Sequence, residues 1–572
     1  MFFLLFLIGQ IVLVADDATV MVDQQRTVLK REQHRLRAKA QRRQEAALLN
    51  RAHVRLSRDE VPTHSASISP SSVVQIHTIT LVGASKLSRH QQYFLTKPYI
   101  GPMGISDIKQ LLADIQNTYI RMGYTTTKPY PKPDQDLSSG ALVIMVDEGR
   151  IAGIVDANGN KTLALSMAFP FLDGKVLNIR DIEQGLDQMN RLSSNQMKVK
   201  LIPQKKSLGY GTIVQVINHS DALSLYSASI QYDNHSDHSV RLYPRGIELS
   251  RDNALKLNDQ WALSFSQANG VNGQNSNSAS LGVSIPFGYS LLSYGYSQFE
   301  YHTLYKGLFR NFSMTGGTER HSFGLTQTVF RTQRSKTSVS VNLRHRDTHS
   351  FIEDVVNEPG TQVMTVADVG VSQTLLGWLG ATWSFDVRAH RGLRFWGAPK
   401  DPSDLTPMEP RFQFEKTTAM GSVYTQIPIV GVPLLYKGVG RLQHGRQPLF
   451  SSEQMAIGGL YSVRGFSDPI MGGTGALVQQ DISTPLHHLM VWAPLTNVVQ
   501  PLGLHLIGGL DVGSVRPTGQ SLWGTMVGAM VGIRHYGKSM TGEWAITKPL
   551  KASHWVKKNA AIVYWNVRIA LI

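Results

Sequence analysis

Gly532-Ile-Arg-His-Tyr-Gly537-Lys538-Ser539 matches letter for letter the spacing of a phosphate-cradling P-loop. That chemistry needs a helix opening behind the lysine, with its amino end facing the phosphates. Met540-Thr541-Gly542-Glu543-Trp544 follows instead, with a glycine and no helical apolar stripe. The stretch therefore reads as a strand turn. Asp233-Asn234-His235-Ser236-Asp237-His238 carries ligand-type side chains for a metal, but its composition fits a solvated turn better. Among 19 histidines there is neither a His-Glu-x-x-His nor a Gly-x-Ser-x-Gly pattern, which removes the zinc-protease and hydrolase-elbow signatures. With no cysteine at all, thiolate metal sites, thiol nucleophiles and disulfide scaffolds are excluded. The sequence thus offers no catalytic, metal or cofactor site.

The elements that carry these residues are more informative. The chain has 572 residues, long enough for several domains. Its charged fraction of 17% is low beside the roughly 25% usual in soluble domains. Phe2 to Val14 is nearly all apolar, and Ala15 before Asp16-Asp17 offers a cleavage site. This is the pattern of a signal peptide over residues 1–15, with a buried strand as the alternative. No later run reaches 18 consecutive apolar residues, which excludes a helical membrane protein. Between Arg26 and Arg58 stand eleven basic residues against only Glu32 and Glu45, more than half of the chain's net +16. Free of Gly and Pro, residues 16–60 predict a basic helix whose thin apolar stripe demands polar surroundings. No aromatics interleave and the chain reads as exported, so nucleic acid is disfavoured as a partner. Residues 61–73, rich in Ser and Pro, read as a flexible linker.

Two small α+β units come next, at 74–150 and 151–220. In the first, Val74–Val82 alternates with one irregular step, Ser106 offers a helix cap, and Ile108, Leu111, Ile115 and Tyr119 share a helical face. In the second, Asn178 caps a helix that turns Ile182, Leu186 and Met189 inward. From about residue 221 alternation takes over. Val339, Val341 and Leu343 interleave with Ser338, Ser340 and Asn342, and Trp383, Phe385 and Val387 with Ser384, Asp386 and Arg388. Dyad segments of about ten residues between turns are the signature of a transmembrane β-barrel, and the length predicts on the order of 14–18 strands. A soluble sandwich or propeller is the rival, but propeller repeats are absent. A barrel this wide leaves an aqueous lumen unless plugged, and the basic helix is a candidate plug.

Several motifs then point to one family. Tyr119-Ile-Arg-Met-Gly-Tyr124, Asp147-Glu-Gly149 and Leu177-Asn-Ile-Arg-Asp-Ile-Glu-Gln-Gly-Leu-Asp-Gln-Met-Asn-Arg-Leu192 precede the barrel. Within it stand Val463-Arg464-Gly465-Phe466 and Gly509-Leu-Asp511-Val-Gly513. Over its whole length the chain resembles an outer-membrane transporter of two-partner secretion, the TpsB haemolysin secretion/activation group of the POTRA-plus-barrel superfamily. The resemblance implies a plug helix, two POTRA domains and a barrel of about 16 antiparallel strands. It implies a Gram-negative outer membrane with the POTRA domains in the periplasm, a secreted haemolysin- or adhesin-like exoprotein as partner, and contact with lipid and the barrel-assembly machinery. It suggests Tyr119, Gly123, Tyr124, Arg180 and Asp181 as POTRA residues facing the substrate. An assembly or insertion factor of the same superfamily is the alternative.

The resemblance further implies that Arg464 sits at the tip of a loop folded into the lumen, held by Asp511. A planar guanidinium and a carboxylate form charge-assisted, often bidentate hydrogen bonds that lysine cannot reproduce. Gly465 permits the tight turn, Phe466 can pack on the wall, and Val463 and Gly513 complete the two motifs. A surface arginine and an unrelated lumen aspartate are the alternatives. Gly472-Gly-Thr-Gly475 and Gln480-Asp-Ile-Ser483 depart from the family's pattern.

Overall fold

The computed structural model describes residues 73–571 apart from 207–208, 219–223, 235–242, 271–273, 307–309, 430, 490–499, 538 and 559. The expected signal peptide, basic helix, almost all of the linker, and His235 and His238 lie outside the described residues.

In the first module the irregular step near His77 has a structural use. Val74–Ile76 pairs antiparallel with Gly101–Met103, whereas Thr78–Val82 belongs to a second sheet, parallel to Ala141–Asp147. Lys128–Pro131 lies antiparallel on the other side of Ala141–Asp147. Helix Ile105–Arg121 buries Leu111, Ile115 and Tyr119 against this sheet. Its cap is not Ser106. The helix starts from Gly104, whose N–H donates to the Asp107 carboxylate at 2.7 Å, which also sets a negative charge at the helix's positive end. Helix Arg89–Thr96 has too few apolar residues for a periodic signal. Its start is written only in the reciprocal Ser88–Gln91 capping box.

The second module repeats the plan, with Arg150–Val155 parallel to Gly209–Asn218 and Met197–Lys206 antiparallel to it. Asn178 caps helix Ile179–Met189 as expected, its Oδ1 accepting the Arg180 N–H at 2.9 Å. Sequence periodicity assigns this helix one buried face. The structure buries it nearly all round: Ile182, Leu186 and Met189 toward its own sheet, and the polar Glu183, Gln184, Asp187 and Gln188 as well. The barrel rim covers that polar face.

Sixteen long antiparallel strands, from Tyr226–Asp233 to Ile562–Ala570, close into the barrel, and a two-residue strand Val355–Val356 extends one hairpin. Closure is forced by chemistry, because a strand edge facing lipid would leave backbone groups unpaired. The alternation read from the sequence falls as lipid demands: Val341, Val369, Val371 and Val387 stand exposed on the outer face. Between them Asp368, Asp386 and Arg388 point inward, with Arg388 donating to Asp386 at 2.7 Å and to Asp368 at 3.0 Å. The P-loop spacing falls on strand Gly524–Tyr536 and the turn into strand Met540–Ala552. Lys538 lies outside the described residues, and the element that follows is a strand rather than the helix such a loop must open. The closing seam is short, with five residue pairs from Asn566↔Asp233 to Ala570↔Ser229. Just beyond it the Asn234 side chain imitates a strand, accepting from the Trp565 N–H at 2.8 Å and donating to the Val563 carbonyl at 2.9 Å.

Candidate functional site

Strand Leu504–Arg516 shows how the wall builds a receptor. Leu510 and Val512 are exposed to the lipid side, so Asp511 between them points into the lumen, and Gly509 and Gly513 share its face. The segment between strands Val432–Gly445 and Thr474–Pro485 folds back onto this face. Its tip, Val463-Arg464-Gly465-Phe466, is buried. Arg464 Nε and Nη2 donate to the two Asp511 carboxylate oxygens, each at 2.5 Å, and the Arg464 backbone N–H adds a third bond at 3.0 Å. Arg464 is 4% exposed and Asp511 0%. The two motif residues are therefore brought together, in the bidentate form that only arginine supplies.

A second carboxylate joins it. Asp481 approaches Arg464 Nη1 at 2.8 Å. In the sequence this residue stood out only as part of a departure from the family's pattern. Glycines complete the seat, because the backbone of the tip lies where side chains would be. A Cβ at Gly528 would stand 1.7 Å from the Arg464 carbonyl oxygen, and one at Gly513 2.7 Å from Val463 Cγ2. Gly465 itself has φ +94°, the left-handed region that favours glycine. Gly528 was not singled out from sequence, since an alternating strand offers no local reason for a glycine there. Beside the ion pair, Ile457, Val463, Phe466, Leu477, Val515 and Met526 form an apolar cluster.

The base of the same segment has its own anchor. Glu453, buried, pairs with Lys416 Nζ at 2.7 Å and with Arg346 Nη1 at 3.4 Å, both on the lumen wall. Lys416 Nζ also donates to the Glu453 carbonyl at 2.9 Å, and Arg346 to Ser452 Oγ at 2.5 Å. Within this base, Met455–Ile457 and Ile470–Gly472 pair into a two-stranded ribbon. The loop is thus an ordered structure held at both ends, and its two ends rest on different arcs of the wall.

Of the POTRA residues suggested as substrate-facing, Tyr119 and Tyr124 belong to the first module's core, Arg180 pairs within its own helix, and Gly123 and Asp181 lie at joints between units. Tyr119 is fully buried, its hydroxyl donating to Glu148 at 2.6 Å. Burial, with the Glu148 carboxylate beside it, pushes that hydroxyl's pKa well above its ordinary value. Tyr124 packs edge-on against Tyr119. Gly123, at φ +98°, accepts the Ile179 N–H at 2.9 Å and so couples the two modules. Arg180 pairs with Glu183 at 2.7 Å, and Asp181 accepts the hydroxyl of Tyr289, a barrel-turn residue, at 2.6 Å.

The same joint gathers residues that the sequence reading did not single out. Arg331, at the end of barrel strand Asn311–Arg331, pairs with Asp187 at 2.5 Å and Glu183 at 3.4 Å. Arg191 donates to the Asn258 carbonyl at 2.6 Å, and the Ser194 N–H to Asp252 at 3.0 Å.

A sixteen-stranded barrel with an inward-folded, arginine-anchored loop and two periplasmic α+β modules defines a transporter of the outer membrane. The chain belongs to the haemolysin secretion/activation protein family ShlB/FhaC/HecB, whose description matches residues 211–535. A ShlB-type POTRA domain matches 74–149 and a further POTRA domain 150–203. The outer membrane transporter CdiB of Dickeya dadantii (strain 3937) is 30% identical over 488 residues, covering 85% of this chain and 84% of that protein. The hemolysin transporter protein ShlB of Serratia marcescens is 25% identical over 423 residues, 73% of this chain and 72% of that protein. The solved structure of CdiB from Escherichia coli superposes with a TM-score of 0.84 at 26% identity, covering 96% of this chain and 98% of that one. The chain is accordingly a TpsB-type transporter, resident in the outer membrane with its POTRA domains in the periplasm.

Proposed function

We propose that this protein receives an unfolded exoprotein in the periplasm through its POTRA domains and passes it through the barrel to the cell surface, without a catalytic step. The anchored loop carries the reading. A buried bidentate ion pair at its tip and the buried Lys416–Glu453 pair at its base hold a segment across the lumen wall that must shift before a chain can pass. Both are polar contacts with discrete partners, so they can be exchanged for others without unfolding the barrel. Capture proceeds by strand addition on exposed sheet edges, where main-chain hydrogen bonds supply affinity whatever the side chains. Thr78–Val82, free of proline, is such an edge, paired on one side only. The basic segment 16–60 acts as a plug, and exoprotein folding outside makes transport directional.

Planar-bilayer conductance of the refolded protein, with and without residues 16–60, tests the channel. Small flickering currents that turn large and steady on deletion support it. Equal large currents from both would make the basic helix a periplasmic arm. Absence of conductance from either, with the β-sheet intact, would overturn translocation through the lumen and favour an insertion factor.

A further inference from the structure

Phe169 and Phe171 flank Pro170 in the second POTRA module and meet opposite fates. Phe169 is 5% exposed. It lies so close to helix Ile179–Met189 that a Cβ at Gly185 would stand 2.0 Å from its ring. Phe171 is 78% exposed and holds φ +58°, a conformation unfavourable for a bulky side chain. An exposed aromatic side chain kept in an unfavourable backbone state gains nothing from water. The loop that carries it is nevertheless firmly placed. The Gly288 N–H donates to the Met167 carbonyl at 2.8 Å, and a Cβ at Gly288 would stand 2.7 Å from Pro170. From the other side, Gln188 donates to the Gly288 carbonyl at 3.1 Å.

What this placement achieves is a contact on the outer wall of the barrel. The Phe171 ring meets Phe287 edge-on, centroids 6.0 Å apart. Phe287 ends strand Asn275–Phe287 at the periplasmic rim, and it and Leu292 on the next strand are exposed on the lipid side. Phe171 thus continues the lipid-facing apolar surface from the barrel onto a periplasmic domain, at the level where aromatic girdles sit.

We propose that Phe171 is a membrane anchor: it inserts into the periplasmic leaflet of the outer membrane beside Phe287 and ties the second POTRA module to the bilayer as well as to the barrel. Its ligand is phospholipid at the boundary between headgroups and acyl chains.

The chain lacks cysteine, so single-cysteine variants of the full-length protein can each carry one environment-sensitive fluorophore in phospholipid nanodiscs. Phe171→Cys is the test, Leu292→Cys the lipid reference, and Phe94→Cys, exposed on the first POTRA module, the aqueous reference. The label at 171 is expected to be quenched by lipid-borne nitroxides as at 292 and shielded from iodide, unlike that at 94. Quenching by iodide as at 94, with no response to the nitroxides, would overturn the proposal. Phe171→Gly suits the backbone and so keeps the fold. Cross-linking yield between this module and the rim should then fall by up to roughly tenfold, the factor that a partly buried aromatic side chain supplies. An unchanged yield in nanodiscs would refute the tie.

Discussion

The tip of the lumen loop and the joint between the second POTRA module and the barrel use the same device in different settings. Each places one buried arginine between two carboxylates: Arg464 with Asp511 and Asp481, Arg331 with Asp187 and Glu183. At the tip, the Asp511 carboxylate takes three hydrogen bonds from the one residue Arg464. At the joint the carboxylates have other cations, since Arg180 pairs with Glu183 and Lys336 lies 3.5 Å from Asp187. Further bonds from Gln188, Arg191 and Ser194 spread the load. A concentrated anchor is all-or-none, which suits the loop release that the proposed function calls for. A distributed joint weakens by degrees as single contacts are removed.

This contrast can be broken most directly at Asp511. Asp511→Ala leaves the buried Arg464 with one peripheral carboxylate, and breaking such a pair costs about 3–5 kcal/mol. The tip should leave its seat, seen as new protease cleavage within 455–472 of the folded protein and as larger, steadier currents. An unchanged digestion pattern would show that the apolar cluster alone holds the tip. Gly528→Ala should release the tip without touching any charge, because its methyl would overlap the Arg464 carbonyl oxygen. Its currents should resemble those of Asp511→Ala, and wild-type currents would mean that the strand yields instead.

Arg331→Ala should do less, about 1–2 kcal/mol, since neighbouring cations and hydrogen bonds remain. Spin–spin distances between module and rim should broaden without a new population, and full detachment would contradict a distributed joint. Smallest is Asp481→Asn. Its carboxylate is partly exposed, so the loss should stay under about 1 kcal/mol. A double-mutant cycle with Asp511→Asn would measure how far the two acids are coupled.

What the sequence by itself determined is whatever repeats over short range. Alternation such as Val339-Ser340-Val341 specifies strand, face and solvent together, since lipid accepts only apolar side chains and a lumen prefers polar ones. Asn178 acts on neighbouring backbone and was readable for the same reason. The pairing of Arg464 with Asp511 was legible only because both lie in recognisable motifs. Nothing local joins residues 47 positions apart. Closure of the sheet and the folding-in of the loop made the rest of the site. They brought Asp481 to Arg464, required a glycine at 528, and covered the polar face of helix Ile179–Met189 with the barrel rim. The same long-range packing buried Tyr119 in the first module's core and brought Asp181 to Tyr289 of the barrel. Burial and charge pairing between distant segments are properties of the closed surface, and a period of two or 3.6 residues carries no record of them.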